Sequence, residues 1–168
     1  MNVPMTLYSK LKSKTLALMG KSWFVLLWLP FVWAMMGFAR LAVLMVQFKN
    51  LSLLFGSHDG ISPAVPLIDE CQLRRANEIR RVIHLAARYT PWVSNCFPKA
   101  IVARLLLGIY RVPYTLCFGL LRDEHTQNLK AHAWVVSGVC CVSGGQSFMV
   151  YTVVGCFGAQ SWKKLQIK

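Results

Sequence analysis

The sequence predicts an α+β fold in which two helices precede an antiparallel sheet of four strands. Two observations predict the helices: apolar residues recur at three- and four-residue steps over residues 69–89 and again over 96–110. A third predicts the sheet, because from Tyr114 onward the apolar period changes to two. The chain has 168 residues, which is enough for one modest hydrophobic core.

The N-terminal segment is a basic lead followed by an uncharged run, "SWFVLLWLPFVWAMMGFA", from Ser22 to Ala39. This arrangement is typical of a signal peptide or a membrane anchor, and the run reaches the lower limit of the ~17–25 residues that span a bilayer. Pro30 predicts a kink or a break, giving helices near 15–29 and 31–48 that pack on a domain or lie on a membrane surface. A span, a cleaved signal and such helices all remain open.

A loop separates this segment from the rest of the chain. The stretch "NLSLLFGSHDGISPAVP" is rich in Gly, Pro, Ser and Asp, which predicts a linker. The predicted organisation is therefore an apolar N-terminal helical segment at 1–55, a linker at 56–68 and a folded domain at 69–168.

The first helix of that domain, residues 69–89, is amphipathic, with Asp69 as a plausible N-cap and Pro91 after its end. Its arginine-rich face is typical of a solvated surface. Nucleic acid is not predicted as a partner, because no groove-reading motif accompanies the arginines. His84 is assigned to the edge of the core.

The second helix, residues 96–110, begins at Cys96, with Ser94 or Asn95 as a possible cap. Ile101, Leu105 and Ile109 recur at every fourth residue, with Val102 and Leu106 beside them, which predicts a largely buried helix. Four short strands follow, "YTLCFGLL", "AHAWVV", "VCCVS" and "MVYTVV", separated by polar or Gly-rich turns.

Composition limits the classes of function. The 19 basic and 6 acidic side chains give a net charge of +13, which favours anionic partners or simply keeps an apolar protein soluble. Six cysteines occur without a pair of CxxC motifs, so no zinc site is predicted, and a reduced, cytoplasmic chain is expected. Cys117, Cys140, Cys141 and Cys156 are predicted to be small core residues. No Gly-rich phosphate loop is present, and no cofactor or metal is predicted.

Cys96 and His132 are the candidate chemical residues. A cysteine attacks as its thiolate, and a free thiol has a pKa of about 8.5. The start of a helix stabilises negative charge, and a neighbouring imidazole can take the thiol proton. Spacing alone leaves two interpretations, a nucleophile with His132 as its base or one more buried thiol.

Longer motifs around both residues resemble the leader peptidase of lasso peptide biosynthesis, a stand-alone B-protein of a transglutaminase-like cysteine peptidase family. The resemblance rests on "CFPKA" at the helix start, "GIYRVP" at its end, the strand "CFGLL" and "AHAWV", and it covers about 69–158. It implies a transglutaminase-like, papain-type core, in which a Cys-bearing helix packs on an antiparallel sheet. The apolar and amphipathic N-terminal helices are similar in character to the stand-alone form.

The resemblance also implies a role. Such enzymes remove the leader from a ribosomally made precursor peptide at the leader–core junction. They act with a leader-recognition protein and an asparagine-synthetase-like macrolactam synthetase that uses ATP. By resemblance, Cys96 is the nucleophile and His132 the general base. The expected location is the cytoplasm, with possible contact to a membrane surface through residues 15–48.

The sequence departs from this family at the third catalytic position. Many relatives carry an aspartate about a dozen residues after the histidine, where this chain has Gly144 and Gly145. The orienting role then falls to Gln146 or Ser143, to a backbone carbonyl, or to nothing. Trp92 and Trp134 are candidate cleft residues, the first as a wall and the second as shelter for the imidazole. Core packing explains either tryptophan equally well.

Two other functions remain open from the sequence. One is a membrane-associated interaction protein in which the transglutaminase-like domain is inactive. The other is an acyl-transfer enzyme that joins amines on the same core, since one thioester intermediate serves water or an amine.

Overall fold

The computed structural model describes residues 22–45, 57–58, 60–61, 65–92, 95–122, 128–145 and 149–159. These residues form helices α1 Trp23–Met45, α2 Glu70–Arg88 and α3 Cys96–Ile109. They also form strands β1 Ser57–His58, β2 Tyr114–Arg122, β3 Leu129–Ser137, β4 Cys140–Ser143 and β5 Thr152–Ala159. The predicted α+β class, with a Cys-bearing helix packed on an antiparallel sheet, is confirmed.

Helix α1 runs without interruption through Pro30, so the prediction of a break at this residue is wrong. Proline removes one intrahelical hydrogen bond, but the Pro30 side chain is exposed and the opposite face of the helix is held by packing. Val32 and Met36 on that face are fully buried in the core that α1 shares with α2 and α3. The ends of the predicted helices, 15–21 and 46–48, lie outside the described residues.

Polar contacts also attach α1 to the rest of the fold. The Ser22 hydroxyl donates to the Glu78 carboxylate at 2.8 Å, and the Trp28 indole N–H donates to the Tyr110 hydroxyl at 2.7 Å. The predicted division of the chain at 1–55, 56–68 and 69–168 stays a prediction. The described part of the first segment nevertheless shares the core of the last one.

Helix α2 has the predicted cap and the predicted buried face. Asp69 and Gln72 form a capping box, in which the Gln72 N–H donates to the Asp69 carboxylate at 2.8 Å and the Asp69 N–H donates to the Gln72 side chain. The apolar side of the helix, including Ile79 and Ile83, is fully buried.

Helix α3 begins at Cys96, as predicted. Asn95 is the N-cap residue, but its side chain makes no capping hydrogen bond. Pro98 lies in the first turn and is buried, and Val102 and Leu106 are fully buried beneath it. The predicted burial is wrong for Leu105 and Ile109, which are 37% and 59% exposed, because the buried face of α3 lies one residue further round the helix. N–H groups in the first turn of a helix have no intrahelical acceptor. Proline has no N–H group, so Pro98 leaves no unsatisfied donor there.

The sheet is antiparallel with the strand order β1-β5-β2-β3-β4, so β2 lies at its centre. Strand β1 was not predicted. Ser57 pairs with Gly158 and His58 with Phe157, inside the stretch that the sequence assigned to a linker. Two residues are too few to show a period, which explains why the sequence does not reveal this edge strand.

The two faces of the sheet carry different clusters. Leu116, Ala133 and Val135 join the helices in the main core. Cys117, Trp134 and Cys156 form a second cluster, since successive side chains of a strand point to opposite faces.

Cys117 and Cys156 lie directly opposite each other on β2 and β5 and form a disulfide. The expectation that all cysteines are reduced is therefore wrong for this pair. The spacing along the chain could not reveal it, because the register of the strands brings the two residues together. Disulfides are rare in cytoplasmic proteins, so the pair also removes one support for the predicted compartment.

Candidate active site

Cys96 and His132 open onto one cleft with a volume of about 790 Å³. Cys96 and His132 are both half-buried. The structure thus brings together the two residues that the sequence singled out, 36 positions apart, from α3 and β3. In the described part of the chain no hydrogen bond joins the Cys96 thiol to the His132 ring. Catalytic hydrogen bonds of this type often tighten only when substrate binds.

The start of α3 is firmly anchored below Cys96. The Phe97 ring lies 5.0 Å from the Phe118 ring of β2, centroid to centroid, and Pro98 is buried. Cys96 is the first helical residue, so its own N–H lies in the turn whose N–H groups have no intrahelical acceptor. These donors stabilise negative charge at the thiol or on an oxygen bound beside it.

The His132 ring is oriented by a backbone carbonyl. Its Nε2 lies 2.9 Å from the Gly144 carbonyl oxygen, which belongs to the residue after β4. A carbonyl oxygen only accepts hydrogen bonds, so Nε2 must carry the hydrogen, and the neutral ring then keeps Nδ1 as its basic nitrogen. Among the alternatives left open by the sequence, the structure supplies the backbone carbonyl.

Gly144 holds this carbonyl in a place where a side chain would not fit. Its φ is +96°, and a Cβ atom there would lie 2.3 Å from Trp134 Cβ and 3.0 Å from the Ala133 carbonyl oxygen. Gly145 has a φ of +65° but open space around it. An aspartate at position 144 is therefore incompatible with this backbone.

The other two candidates for the third position do not orient His132 in the described structure. The Ser143 side chain is fully buried, and its hydroxyl has no hydrogen-bond partner there. Gln146 lies outside the described residues.

Aromatic rings pack against the imidazole. The Trp134 ring is stacked at 5.9 Å from the His132 ring, as the alternation of β3 predicted, and the Tyr151 ring is stacked at 4.8 Å. Gly119 pairs with His132 across β2 and β3, and a Cβ at Gly119 would lie 2.8 Å from Tyr151 Cβ. The bare backbone of Gly119 thus makes room for these rings. The sequence placed Tyr151 in the predicted strand "MVYTVV" but gave no sign of its contact with His132, and in the structure it lies just before β5.

Comparison with known families identifies the fold. The profile of the transglutaminase-like superfamily matches residues 42–154, from the end of α1 into β5. The chain belongs to the transglutaminase-like superfamily. This fold commonly carries cysteine peptidases and acyl transferases. No curated protein and no solved structure gives a significant match to the chain.

Trp92 lies outside the cleft of this transglutaminase-like domain. Its ring is 5.3 Å from the Trp33 ring of α1, and a Cβ added at Gly37 of the same helix would lie 3.3 Å from it. The wall of the cleft does not include Trp92, which instead fits the alternative of a packed tryptophan at the core edge.

Three basic side chains in the cleft wall were missed by sequence reasoning, one from each helix. They are Arg40, His84 and Lys99. Burial lowers the pKa of His84, and the charges of Lys99 and Arg80 lower it further, so the neutral imidazole is favoured. The sequence could have predicted only Lys99 in this position. It follows Cys96 by three residues, and residues three apart share one side of a helix.

The described residues of the domain contain no cluster of three or more His, Cys, Asp or Glu side chains that could hold a metal ion. The described part of the cleft supplies a thiol, an imidazole, backbone N–H groups at the start of α3 and basic side chains.

Proposed function

We propose that this protein is a cysteine peptidase that removes the leader from a ribosomally made lasso peptide precursor at the leader–core junction. The observation that carries the proposal is the shared cleft, with Cys96 at the start of α3 and the oriented His132 ring on β3. The "CFPKA" and "AHAWV" motifs, which resemble lasso leader peptidases, support the choice of substrate.

In the proposed mechanism, His132 Nδ1 takes the proton of the Cys96 thiol. The thiolate attacks the scissile carbonyl, and the N–H groups at the start of α3 stabilise the negative oxygen of the tetrahedral intermediate. The protonated His132 then gives its proton to the leaving amine, which leaves a thioester on Cys96. Water activated by His132 hydrolyses the thioester and restores the thiol.

Gly144 replaces the usual carboxylate in this mechanism. Its carbonyl fixes the tautomer and the plane of the imidazole, as a carboxylate would. A neutral acceptor makes a weaker hydrogen bond to an imidazolium than a charged one does. The aromatic packing of Trp134 and Tyr151 supplies additional restraint on the ring.

The proposal includes two partners, a leader-recognition protein that delivers the precursor and an asparagine-synthetase-like macrolactam synthetase that closes the ring on the freed amine. Both would act with the peptidase in the cytoplasm. The net charge of +13 supports docking to acidic partners or to an acidic leader.

The test follows the intact masses of the precursor over time, with this protein and its leader-recognition partner present. We expect cleavage at one junction by the wild type, loss of cleavage in Cys96→Ala, and unchanged cleavage in Cys71→Ala. Cys71 is an exposed free thiol on α2, outside the cleft, and is the matched control. Cleavage that persists in Cys96→Ala, or an intact precursor with the wild type, would contradict the proposal.

The same measurement separates the peptidase from an amide-ligating acyl transferase. Hydrolysis of the thioester adds one water to the acyl fragment, whereas ligation adds the mass of the amine. A product that carries the amine would favour the acyl transferase and exclude simple leader removal.

A second candidate role, membrane-associated interaction, is favoured by the outward face of α1. We call this face the α1 stripe, and its residues are spaced three to seven positions apart: Trp23, Leu27, Phe31, Phe38, Leu41 and Met45. Each of them is between 53% and 82% exposed. Arg40 is the helix's one charged residue. In the described part of the chain, α1 is long and apolar enough to cross a membrane, with a hydropathy of 1.7.

The packing of α1 argues for a surface position over a span. Val25, Val32 and Met36 on its other face are at most 2% exposed, in the core shared with α2 and α3. If α1 spanned a bilayer, these residues would lose their packing against α2 and α3. Lys10, Lys12, Lys14 and Lys21 immediately precede the helix, and such a basic cluster is attracted to anionic lipid. We therefore propose that the α1 stripe lies on an anionic membrane surface.

Co-sedimentation with vesicles tests this role. We expect the protein to bind vesicles of phosphatidylglycerol and phosphatidylcholine, and Phe31→Glu combined with Phe38→Glu to abolish binding. Val139→Glu changes an exposed apolar residue in the β3–β4 turn, 91% exposed, and should leave binding unchanged. Failure of the wild type to bind, with a dimer in solution that the double variant dissociates, would assign the stripe to a second copy of the chain.

A further inference from the structure

The starts of α2 and α3 use their N-cap residues differently. Helix α2 is capped by Asp69, whose carboxylate accepts a hydrogen bond at 2.8 Å from the N–H of the third helical residue, Gln72. The third helical residue of α3 is Pro98, which has no N–H. A cap side chain bonds to the second or third helical N–H, so α3 lacks one of these usual partners. The Asn95 side chain makes no capping hydrogen bond.

The Asn95 side chain lies instead at the cleft. Asn95 is exposed, and it lines the cleft beside Cys96. Its carboxamide carries an NH₂ donor group and a carbonyl acceptor. Among the described residues of the cleft wall, Asn95 is the only one with a carboxamide. A neutral donor group that does not cap the helix is therefore placed next to the candidate nucleophile.

The position of an N-cap residue determines what its side chain can reach. A capping side chain spans the short distance to the N–H groups of the first helical turn. An anion held by those N–H groups lies where the oxygen of a capping side chain would lie. When that place is taken, the Asn95 side chain can rotate so that its Nδ2 donates to the anion.

Pro98 also lowers the number of backbone donors at the start of α3. The first N–H groups of an α-helix have no intrahelical acceptor, and the Pro98 position contributes none of these donors. The Cys96 N–H remains, since no described backbone carbonyl accepts a hydrogen bond from it. Converging donors stabilise a tetrahedral oxyanion, and they can be backbone N–H groups or Asn side chains. Asn95 can therefore supply the donor that Pro98 removes.

We propose that Asn95 is a catalytic residue, whose Nδ2 donates a hydrogen bond to the oxyanion that forms when Cys96 attacks a substrate carbonyl. The Cys96 N–H is the second donor. The inference rests on the proposed role of Cys96 as the nucleophile. It adds to that role a side chain that contributes mainly while the oxyanion exists, and so raises kcat more than it tightens substrate binding.

The Asn95 amide acts while negative charge is on the carbonyl oxygen. Attack forms the bond between Cys96 Sγ and the carbonyl carbon, and the π electron pair of the carbonyl moves to its oxygen. The Asn95 and Cys96 N–H groups donate to this oxygen. The carbonyl then forms again, and the amine leaves with the proton that His132 took from the thiol. A carboxamide does not titrate near neutral pH, so its contribution does not depend on pH in that range.

The first test compares two reactions of the same thiolate. Acylation by p-nitrophenyl acetate passes through an oxyanion, releases p-nitrophenolate and leaves an acetyl thioester on Cys96. Alkylation by iodoacetamide displaces iodide and forms no oxyanion. The ratio of the two rates, each corrected for the rate of Cys96→Ala, cancels the thiolate fraction and reports stabilisation of the oxyanion.

Replacement of Asn95 should lower this ratio. Removal of one oxyanion donor typically costs about 10²–10³ in kcat, and an activated ester needs the donor less than an amide does, so we expect Asn95→Ala and Asn95→Asp to lower the ratio at least about tenfold. Asp is as good an N-cap as Asn, so Asn95→Asp separates loss of the donor from loss of a cap. Asn95→Gln keeps the carboxamide and should retain more of the ratio than Asn95→Ala.

Asn77→Ala is the matched control, because it removes a carboxamide of α2 outside the cleft wall, and it should leave the ratio unchanged. The melting temperature and the iodoacetamide rate report whether each variant is folded. An unchanged ratio in folded Asn95→Asp would overturn the assignment. So would a ratio that falls in Lys99→Met but in neither Asn95→Ala nor Asn95→Asp, because the oxyanion would then bind the Lys99 ammonium.

Precursor cleavage tests the same side chain in the proposed reaction. Asn95→Ala should lower kcat about a hundredfold with little change in KM. A rise in KM with unchanged kcat would make Asn95 a binding residue and overturn its catalytic role. The ester ratio does not depend on the precursor. A ratio that falls in the Asn95 variants, together with an intact precursor, would contradict leader removal alone, whereas full cleavage by Asn95→Ala would contradict the oxyanion donor alone.

Discussion

Two regions of the molecule place cysteines in opposite surroundings. Cys96 begins α3 and lines the open cleft together with Lys99. Cys140 and Cys141 lie on the edge strand β4, where burial raises the pKa of both thiols, although Arg80 partly opposes the shift. The Cys141 thiol donates to the Ser143 and Gly145 carbonyls at 3.4 and 3.3 Å. The backbone around each sulfur, and not the residue type, separates a candidate nucleophile from a structural thiol.

The largest expected effect comes from removing the base in the first region. His132→Gln keeps an N–H that can reach the Gly144 carbonyl but cannot accept the thiol proton at neutral pH. We expect the rate of precursor cleavage to fall about a thousandfold. Cys140→Ala, which removes a thiol of the second region, should keep cleavage. Comparable losses in both variants would mean that the two regions do not differ as proposed.

A smaller effect is expected from moving the carbonyl that orients His132. Gly144→Ala brings a Cβ against Trp134, so the backbone must shift, and kcat should fall about 10- to 100-fold with little change in KM. Gly145→Ala is the matched control, since its φ is also positive but its Cβ meets open space. Its cost is about 1–2 kcal/mol of stability, visible in the melting temperature.

Equal loss of kcat in the two glycine variants would show that general flexibility of the 144–145 turn matters, and not the position of one carbonyl. Gly144→Ala is expected to lower the melting temperature as well as kcat, because its φ is +96° and its Cβ would lie 2.3 Å from Trp134 Cβ. Two causes then lower kcat, the displaced carbonyl and the less stable fold. In that case the pH profile of kcat, which depends on the imidazole, separates the two causes.

Thiol labelling compares the regions directly. Because burial raises the pKa of Cys140 and Cys141, their thiolate fraction near neutral pH is low, and iodoacetamide should modify Cys96 at least about tenfold faster. Exposed Cys71 is expected to react early as well. Site-resolved mass spectrometry measures the order, and early labelling of Cys140 would contradict the structural role assigned to β4.

The smallest effect concerns His84 and the pH dependence of stability. Its pKa is lowered from 6.5 in the folded state, so below that pH the unfolded chain binds a proton that the folded chain resists. Stability should therefore fall as the pH drops through this range, by much less than the ~1.4 kcal/mol per pKa unit, because His84 is only partly shielded and solvent screens its charge. As the pH drops through this range, the urea midpoint of the wild type should fall relative to that of His84→Gln. A relative rise would contradict the lowered pKa.

Periodicity predicted most of the fold because it reports directly on burial. The steps of three and four residues located α2 and α3, and the capping residue Asp69 was correct because it forms a local hydrogen bond. The change to a period of two located the four longer strands. The break predicted at Pro30 is wrong, because that prediction considers only the hydrogen bond that proline removes. Packing of α1 in the core keeps the helix continuous across the proline.

The candidate site was predicted only in part. Cys96 and His132 were identified by local context, and the Trp134 shelter by strand alternation. Arg40, His84 and Tyr151 join the site from other parts of the fold, and no spacing along the chain connects them to Cys96, whereas Lys99 follows Cys96 by three residues on α3. Trp92, a candidate cleft residue, does not line the cleft and packs against Trp33 of α1.

By itself, the sequence determined the order of elements, the cysteine at the start of a helix and the absence of an aspartate after His132, since each depends on neighbouring residues. The tertiary structure alone decided which group orients the imidazole, how Cys117 meets Cys156, and which cations surround the thiol. Those outcomes depend on strand register and helix packing. Register and packing join residues that are distant along the chain, through contacts that local patterns do not encode.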